Sequence, residues 1–167
     1  MKALTTRILT VLAAAAIAAT TSGWASAASL HSEHDGEVAT AHKLALNHGR
    51  KWATDETLRN GMARIRDSLA SQLAAAHGGG LDAASYGKVS GSIEAEISTI
   101  VANCTLEPKA DAMLHGVLAD LIAASDVMAG KVAAHSPEQG LRQAVLALNE
   151  YGRYFDDPGF RPLRNVH

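Results

Sequence analysis

Residues 100–128 read IVANCTLEPKADAMLHGVLADLIAASDVM, and the way this stretch divides decides the fold. Ile97, Ile100 and Cys104 close one apolar series at helical spacing; Leu114, Val117, Leu118, Leu121, Ile122 and Met128 form another. Side chains three and four residues apart share one face of a helix, because the α-helix repeats every 3.6 residues. Between the two series stand Thr105, Leu106, Glu107 and Pro108. Proline lacks an N–H, which is harmless in a first helical turn, where that group has no intrahelical partner. The stretch therefore predicts two helices joined by a short connection, which makes them antiparallel neighbours.

Upstream, Tyr86, Val89 and Ile93 extend the first of these helices back to a start near Asp82. Before that lies another helix, opening at Thr54-Asp55-Glu56 with a capping side chain and acidic residues at the positive end of the dipole. Its stripe is Leu58, Met62, Ile65, Leu69 and Leu73, and His77 followed by three glycines stops it. Downstream, the helix begun near Lys109 is expected to run to about Ala134. Ser136 and Pro137 then open a last helix lined by Leu141, Val145, Leu148, Gly152 and Phe155 and stopped by Asp157-Pro158-Gly159. With aromatics at only 4%, alanine abundant and strand formers sparse, the expected class is all-α: an antiparallel up-down-up-down four-helix bundle over 51–160.

The N-terminus reads as an export signal. Lys2 and Arg7 precede an apolar run from Ile8 to Ala19, and Ala25-Ser26-Ala27 forms an A-x-A cleavage site. Those 12 residues are too few to span a bilayer, which takes about 20. The expected mature protein is periplasmic, cleaved near Ala27, with no membrane anchor and no cysteine for lipidation. Residues 28–50 are expected to form a flexible tail carrying His31, His34 and His42, which suits loose binding of copper, nickel or zinc. Cleavage after Ala28 instead gives Ser29-Leu30-His31, whose amine, amides and imidazole suit square-planar Cu(II) or Ni(II). Residues 161–167 form a C-terminal tail. A net charge of −2 gives no basic surface for nucleic acid.

No phosphate loop, CxxC, CxxCH, HExxH or GxSxG occurs, and no nucleophile has a placed base, so no enzyme activity is expected. Asp156-Asp157 reads as a turn or cap for the tail, since carboxylates at a helix C-terminus oppose the dipole. Reactive side chains do fall among core positions. Met62 lies about eight residues into its helix and His115 about seven into its own, both roughly 11–12 Å from the same end of the bundle. A thioether facing an imidazole is a ligand set for Cu(I) or haem iron, with Cys104 as a third member. The competing readings are structural: Met62 as core filler, His115 ion-paired with Asp111 four residues earlier, and Cys104 as a small buried apolar group.

Three segments, Lys51–Arg66 (KWATDETLRNGMARIR), Ile100–His115 (IVANCTLEPKADAMLH) and Tyr151–Gly159 (YGRYFDDPG), resemble those of a family of small exported proteobacterial helical-bundle proteins. That resemblance implies export and the bundle fold, and it carries no settled activity. The first helix, with Met62 near its start, is also similar to that of small periplasmic b-type cytochromes. There a methionine at that position and a histidine on the last helix hold the haem. Here the last helix has no histidine, leaving His115 as the substitute.

The function expected is a periplasmic binding or accessory protein that handles a transition metal, copper foremost. The alternatives are a haem b electron carrier, and an envelope or stress interaction protein without a ligand that is recognised through Tyr151 to Phe160. The partner is accordingly a metal ion or another periplasmic protein.

Overall fold

The computed structural model describes residues 43–76 and 81–164. Four helices follow one another: α1 (Glu56–Ala76), α2 (Ala83–Asn103), α3 (Pro108–Met128) and α4 (Pro137–Tyr154). Each start is capped or proline-primed. Asp55 Oδ1 accepts the Leu58 N–H at 2.7 Å, and Asp82 Oδ1 accepts the Ser85 N–H at 2.8 Å. Ser136 and Gln139 form a reciprocal capping box, while Pro108 and Pro137 occupy first-turn positions. These contacts satisfy donors that a helix start leaves without backbone partners.

α3 ends at Met128, six residues before the end expected from its apolar pattern. The reason is Gly130, with φ +73°. Its N–H reaches Val127 O, and the Lys131 N–H reaches Asp126 O, which together make a Schellman stop. Glycine adopts the left-handed conformation at this position without the Cβ clash of other residues.

The helices form an all-α four-helix bundle. α1 contacts α2 and α4, α3 contacts α2 and α4, and α1 and α3 stand diagonally opposite without contact. The contact between α3 and α4 is the most extensive. Gly140 accounts for it: a Cβ there would lie 2.7 Å from both Ala124 O and Met128 N, so the two backbones approach where no side chain intervenes.

The apolar stripes meet in one core, with Leu58, Met62, Ile65, Leu69, Ile93, Ile100, Val117, Leu121 and Leu148 fully buried. Burial of each such side chain is worth about 1.5–3 kcal/mol. Ile122, expected on the inner face of α3, is instead 43% exposed. Ser125 takes the inward position and bonds Ser90 across the α2–α3 seam, Oγ to Oγ at 2.8 Å. Buried hydroxyls must find partners, so this pair sets the register of the two helices.

The stretches flanking the bundle are tied to it. Residues 43–50, expected at the end of a flexible tail, make a tight turn in which Asn47 and Arg50 exchange backbone hydrogen bonds. Beyond α4, Asn149 clamps Leu163 by bonding both its carbonyl and its N–H at 2.9 Å, so the expected C-terminal tail begins as a packed segment.

Candidate functional site

The residues just before α1 and just after α4 interlock at one end of the bundle. The Trp52 N–H donates to Tyr154 O and the Asp156 N–H donates to Trp52 O, both at 2.8 Å. The buried Trp52 indole donates to Ala45 O at 2.7 Å. Lys51 Nζ donates to Gly152 O at 2.7 Å, meeting a carbonyl at the negative end of α4. Thr54 Oγ1 donates to Asp156 O at 2.7 Å. Segments about a hundred positions apart in sequence thereby become one rigid unit.

Asp55 joins the end of α2 to the same unit. Besides capping α1, its second oxygen accepts the Thr105 N–H at 2.6 Å, and the Cys104 thiol points at Oδ1 from 3.6 Å. Burial pushes the Asp55 carboxyl upward, but the N–H groups of Leu58 and Thr105, the Cys104 thiol and the Arg59 charge together hold it below its ordinary value. Cys104 responds the other way. Burial first, then the Asp55 charge, pushes its thiol up to about 12. It is a protonated donor at neutral pH, not a thiolate.

Tyr151 forms the floor beside this junction. Fully buried, it stacks on Phe155 with ring centres 5.4 Å apart and meets the Phe160 ring edge-on at 5.3 Å. Its hydroxyl donates to Asp157 Oδ2 at 2.9 Å, and burial together with that carboxylate raises its pKa. Asp157 Oδ1 also accepts the Gly159 N–H, so this carboxylate shapes the turn after α4, as its position in the sequence suggested. Gly152 lets Phe160 fold back, because a Cβ there would overlap the Phe160 ring.

Between α1 and this returning segment lies a groove of about 630 Å³. One wall is the outer face of α1, where Arg59, Ala63 and Arg66 recur at spacings of four and three. The other is Asp156 to Phe160, with Ala53 and Thr54 at the end. Arg59 Nη1 donates to both Thr54 O (2.8 Å) and Thr54 Oγ1 (3.0 Å), which holds its half-buried guanidinium against the groove. Arg66 Nε donates to Arg161 O at 2.7 Å.

The structure does not bring the expected metal set together. Met62 is completely enclosed in the core on α1, where its flexible thioether fills space. His115 stands on the diagonal helix α3 with its side chain 68% exposed. Two residues counted to the same level from one end do not meet when one side chain points outward from a helix diagonal to the other's. His115 Nδ1–H donates to Asp111 O at 2.9 Å and lies 3.5 Å from the Asp111 carboxylate, which leaves Nε2 facing away from this pairing. Cys104 and His115 do line one small cavity of about 170 Å³, with Asp111, Leu114 and Ile100. Among the described residues no three His, Cys, Asp or Glu side chains converge as a metal site. His31, His34, His42 and the expected signal peptide lie outside the described residues.

Arg59, Thr54, Asp156 and Phe160 as a common site escaped the sequence reading. The Arg59–Ala63–Arg66 spacing on a polar face was visible, but the second wall is supplied by a chain reversal that no periodicity encodes. Among the described residues, no helix is long and apolar enough to cross a membrane. Compared with known proteins, the chain matches no family model, no curated protein and no solved structure.

Proposed function

We propose that this chain is an exported, non-enzymatic binding or accessory protein that takes its ligand in the groove between α1 and residues 156–160. The observation that carries this reading is the groove's construction. Its volume is within the few hundred to a thousand Å³ of small-molecule sites. Its walls are held by Thr54, which donates to Asp156 O and accepts from Arg59, and by the Gly152–Phe160 contact. Binding sites gain from such rigid support, because little ordering is left to be done when the ligand arrives. A catalytic role draws no support from the lining, where the one hydroxyl, that of Thr54, is engaged and no imidazole or thiol is present. Export follows from the charged, then apolar, then A-x-A pattern of residues 1–27.

The test is native mass spectrometry of protein isolated from the compartment to which it is exported, beside an Ala63→Trp variant. Ala63 is exposed on the groove wall, so an indole there fills the groove without entering the core. A non-covalent adduct on the wild type that is missing from Ala63→Trp is the expected result. An adduct equally present on both, or none on either, refutes the reading.

Copper handling is the second reading, and the observation that favours it is the cavity shared by Cys104 and His115. Sulfur and imidazole suit Cu(I). The metal must displace a proton from a thiol held up near 12, which weakens the site at neutral pH. Copper analysis of the same samples, with Cys104→Ala and His115→Ala, decides it: bound copper unchanged in both variants removes the reading. A haem b carrier loses its geometric basis, since Met62 is enclosed and His115 faces solvent on a helix that does not touch α1.

A further inference from the structure

Two side chains of opposite charge line the groove with no ion pair within 4 Å among the described residues: Arg59, whose charge also acts on the nearby Asp55 carboxylate, and Asp156. The other charged groups of the lining are engaged. Asp157 accepts from Tyr151 and Gly159, and Arg66 donates to Arg161 O and pairs with Asp67. Arg59 uses one nitrogen, Nη1, on Thr54, and among the described residues Nε and Nη2 make no hydrogen bond. Among the described residues the Asp156 carboxylate accepts no hydrogen bond, although its backbone is fixed on both sides by Trp52 and Thr54. Thr54 explains why the two charges do not collapse onto each other. It takes Arg59 on its own oxygens and grips Asp156 through the main chain, so both are anchored at the same residue but not to each other.

A cation and an anion on opposite walls of one groove and not paired with each other, with Ala63 on one wall and Phe160 on the other, match a ligand that carries both charges itself. We propose that the groove binds a short peptide through its free termini: the α-carboxylate on the Arg59 guanidinium and the α-ammonium on Asp156, with side chains over Ala63 and Phe160. A planar guanidinium suits a carboxylate because it donates parallel hydrogen bonds, and charge-assisted bonds of this kind are about twice as strong as neutral ones. The proposal rests on the groove being the binding face.

The experiment is calorimetric titration of the folded chain with tri-L-alanine, its N-acetylated form and its C-terminal amide, each at millimolar concentration. The wild type should bind the free tripeptide and lose on the order of tenfold affinity when either terminus is capped. Arg59→Gln should abolish the preference for a free carboxylate while keeping the preference for a free amine, and Asp156→Asn should do the reverse. Both residues are at least partly exposed, so neither change opens the core. Ala63→Trp should remove all binding. Equal affinity for the three peptides, removed by Ala63→Trp, overturns the peptide assignment but leaves the groove as the binding face. Peptide binding that survives Ala63→Trp overturns both, and no binding of any form overturns the peptide assignment.

Discussion

One substitution, glycine to alanine, should have opposite effects at two places in this bundle, and the structure sets both magnitudes. In an exposed helix interior the change gains about 1 kcal/mol, because alanine loses less backbone entropy on folding. Gly87 and Gly91 on α2 are such positions: both are exposed, neither has a left-handed φ, and a Cβ at either meets nothing within 4 Å. Gly140 on α4 is also helical, but its Cβ would fall 2.7 Å from Ala124 O and Met128 N and 2.8 Å from Met128 Cγ. Overpacking costs about 1–3 kcal/mol, and the upper end applies because backbone atoms cannot swing aside. Subtracting the propensity gain leaves Gly140→Ala destabilised by about 2 kcal/mol. At 4–8 °C per kcal/mol for a small domain, its melting temperature should fall by roughly 10 °C, while Gly87→Ala and Gly91→Ala should each rise by several degrees. Circular dichroism melts with urea titrations at 25 °C measure this directly. A Gly140→Ala protein melting at or above the wild type would refute the close approach of α3 and α4.

Three further outcomes follow from buried and half-buried polar groups. Ser125→Ala should cost about 1–2 kcal/mol in urea titrations by stranding Ser90, and the Ser90→Ala/Ser125→Ala double variant should recover part of that loss; additive losses would deny the pair. Asp55→Ala should destabilise the fold by about 2 kcal/mol at neutral pH, through loss of the α1 cap and the bond to Thr105. Since Asp55 is held below its ordinary value of 3.8, its stabilisation is complete above that pH and disappears as pH falls through the lower folded value. The gap between wild type and variant should therefore close in strong acid, and a gap of constant size down to pH 2 contradicts the linkage. Cys104, raised from 9.0 to about 12, should react slowly with iodoacetamide. At pH 8 its thiolate fraction is about a thousandfold lower than that of an ordinary thiol, and the greater nucleophilicity of a more basic thiolate returns about twentyfold. The folded chain should be alkylated about fiftyfold more slowly than the urea-unfolded chain, as followed by mass spectrometry, and Asp55→Asn should narrow the difference. Equal rates would place the thiol in open solvent.

The four helices were legible because their causes are local. The stripe from Leu58 to Leu73 repeats with the helical period, and Asp82, Ser136, Pro108 and Pro137 are start signals readable in sequence. The end of α3 was misplaced because Val127, Met128 and Val132 keep the chain apolar while Gly130 reverses it. Ile122 was misassigned because the helical pattern admits it on either edge of the stripe, and the pairing of Ser125 with Ser90 across the seam turned it outward.

The candidate site was less legible for a different reason. Helix position along the bundle is a matter of residue counting, which is how Met62 and His115 become candidates for one height. The direction of a side chain around the helix axis depends on which helices become neighbours. With α1 and α3 diagonal, Met62 faces the core and His115 faces solvent beside Asp111. The turn at Asp157-Pro158-Gly159 could likewise be read from its residues, whereas its return over α1 could not. That return requires Gly152 to admit Phe160, Tyr151 to hold Asp157, and Thr54 to grip Asp156. The sequence by itself thus determined the helices, their antiparallel order and the turn chemistry, all of which arise from interactions between near neighbours. Only the tertiary structure decided that Arg59 and Asp156 would share a groove, because their meeting depends on contacts between segments about a hundred residues apart, and such contacts leave no periodic trace.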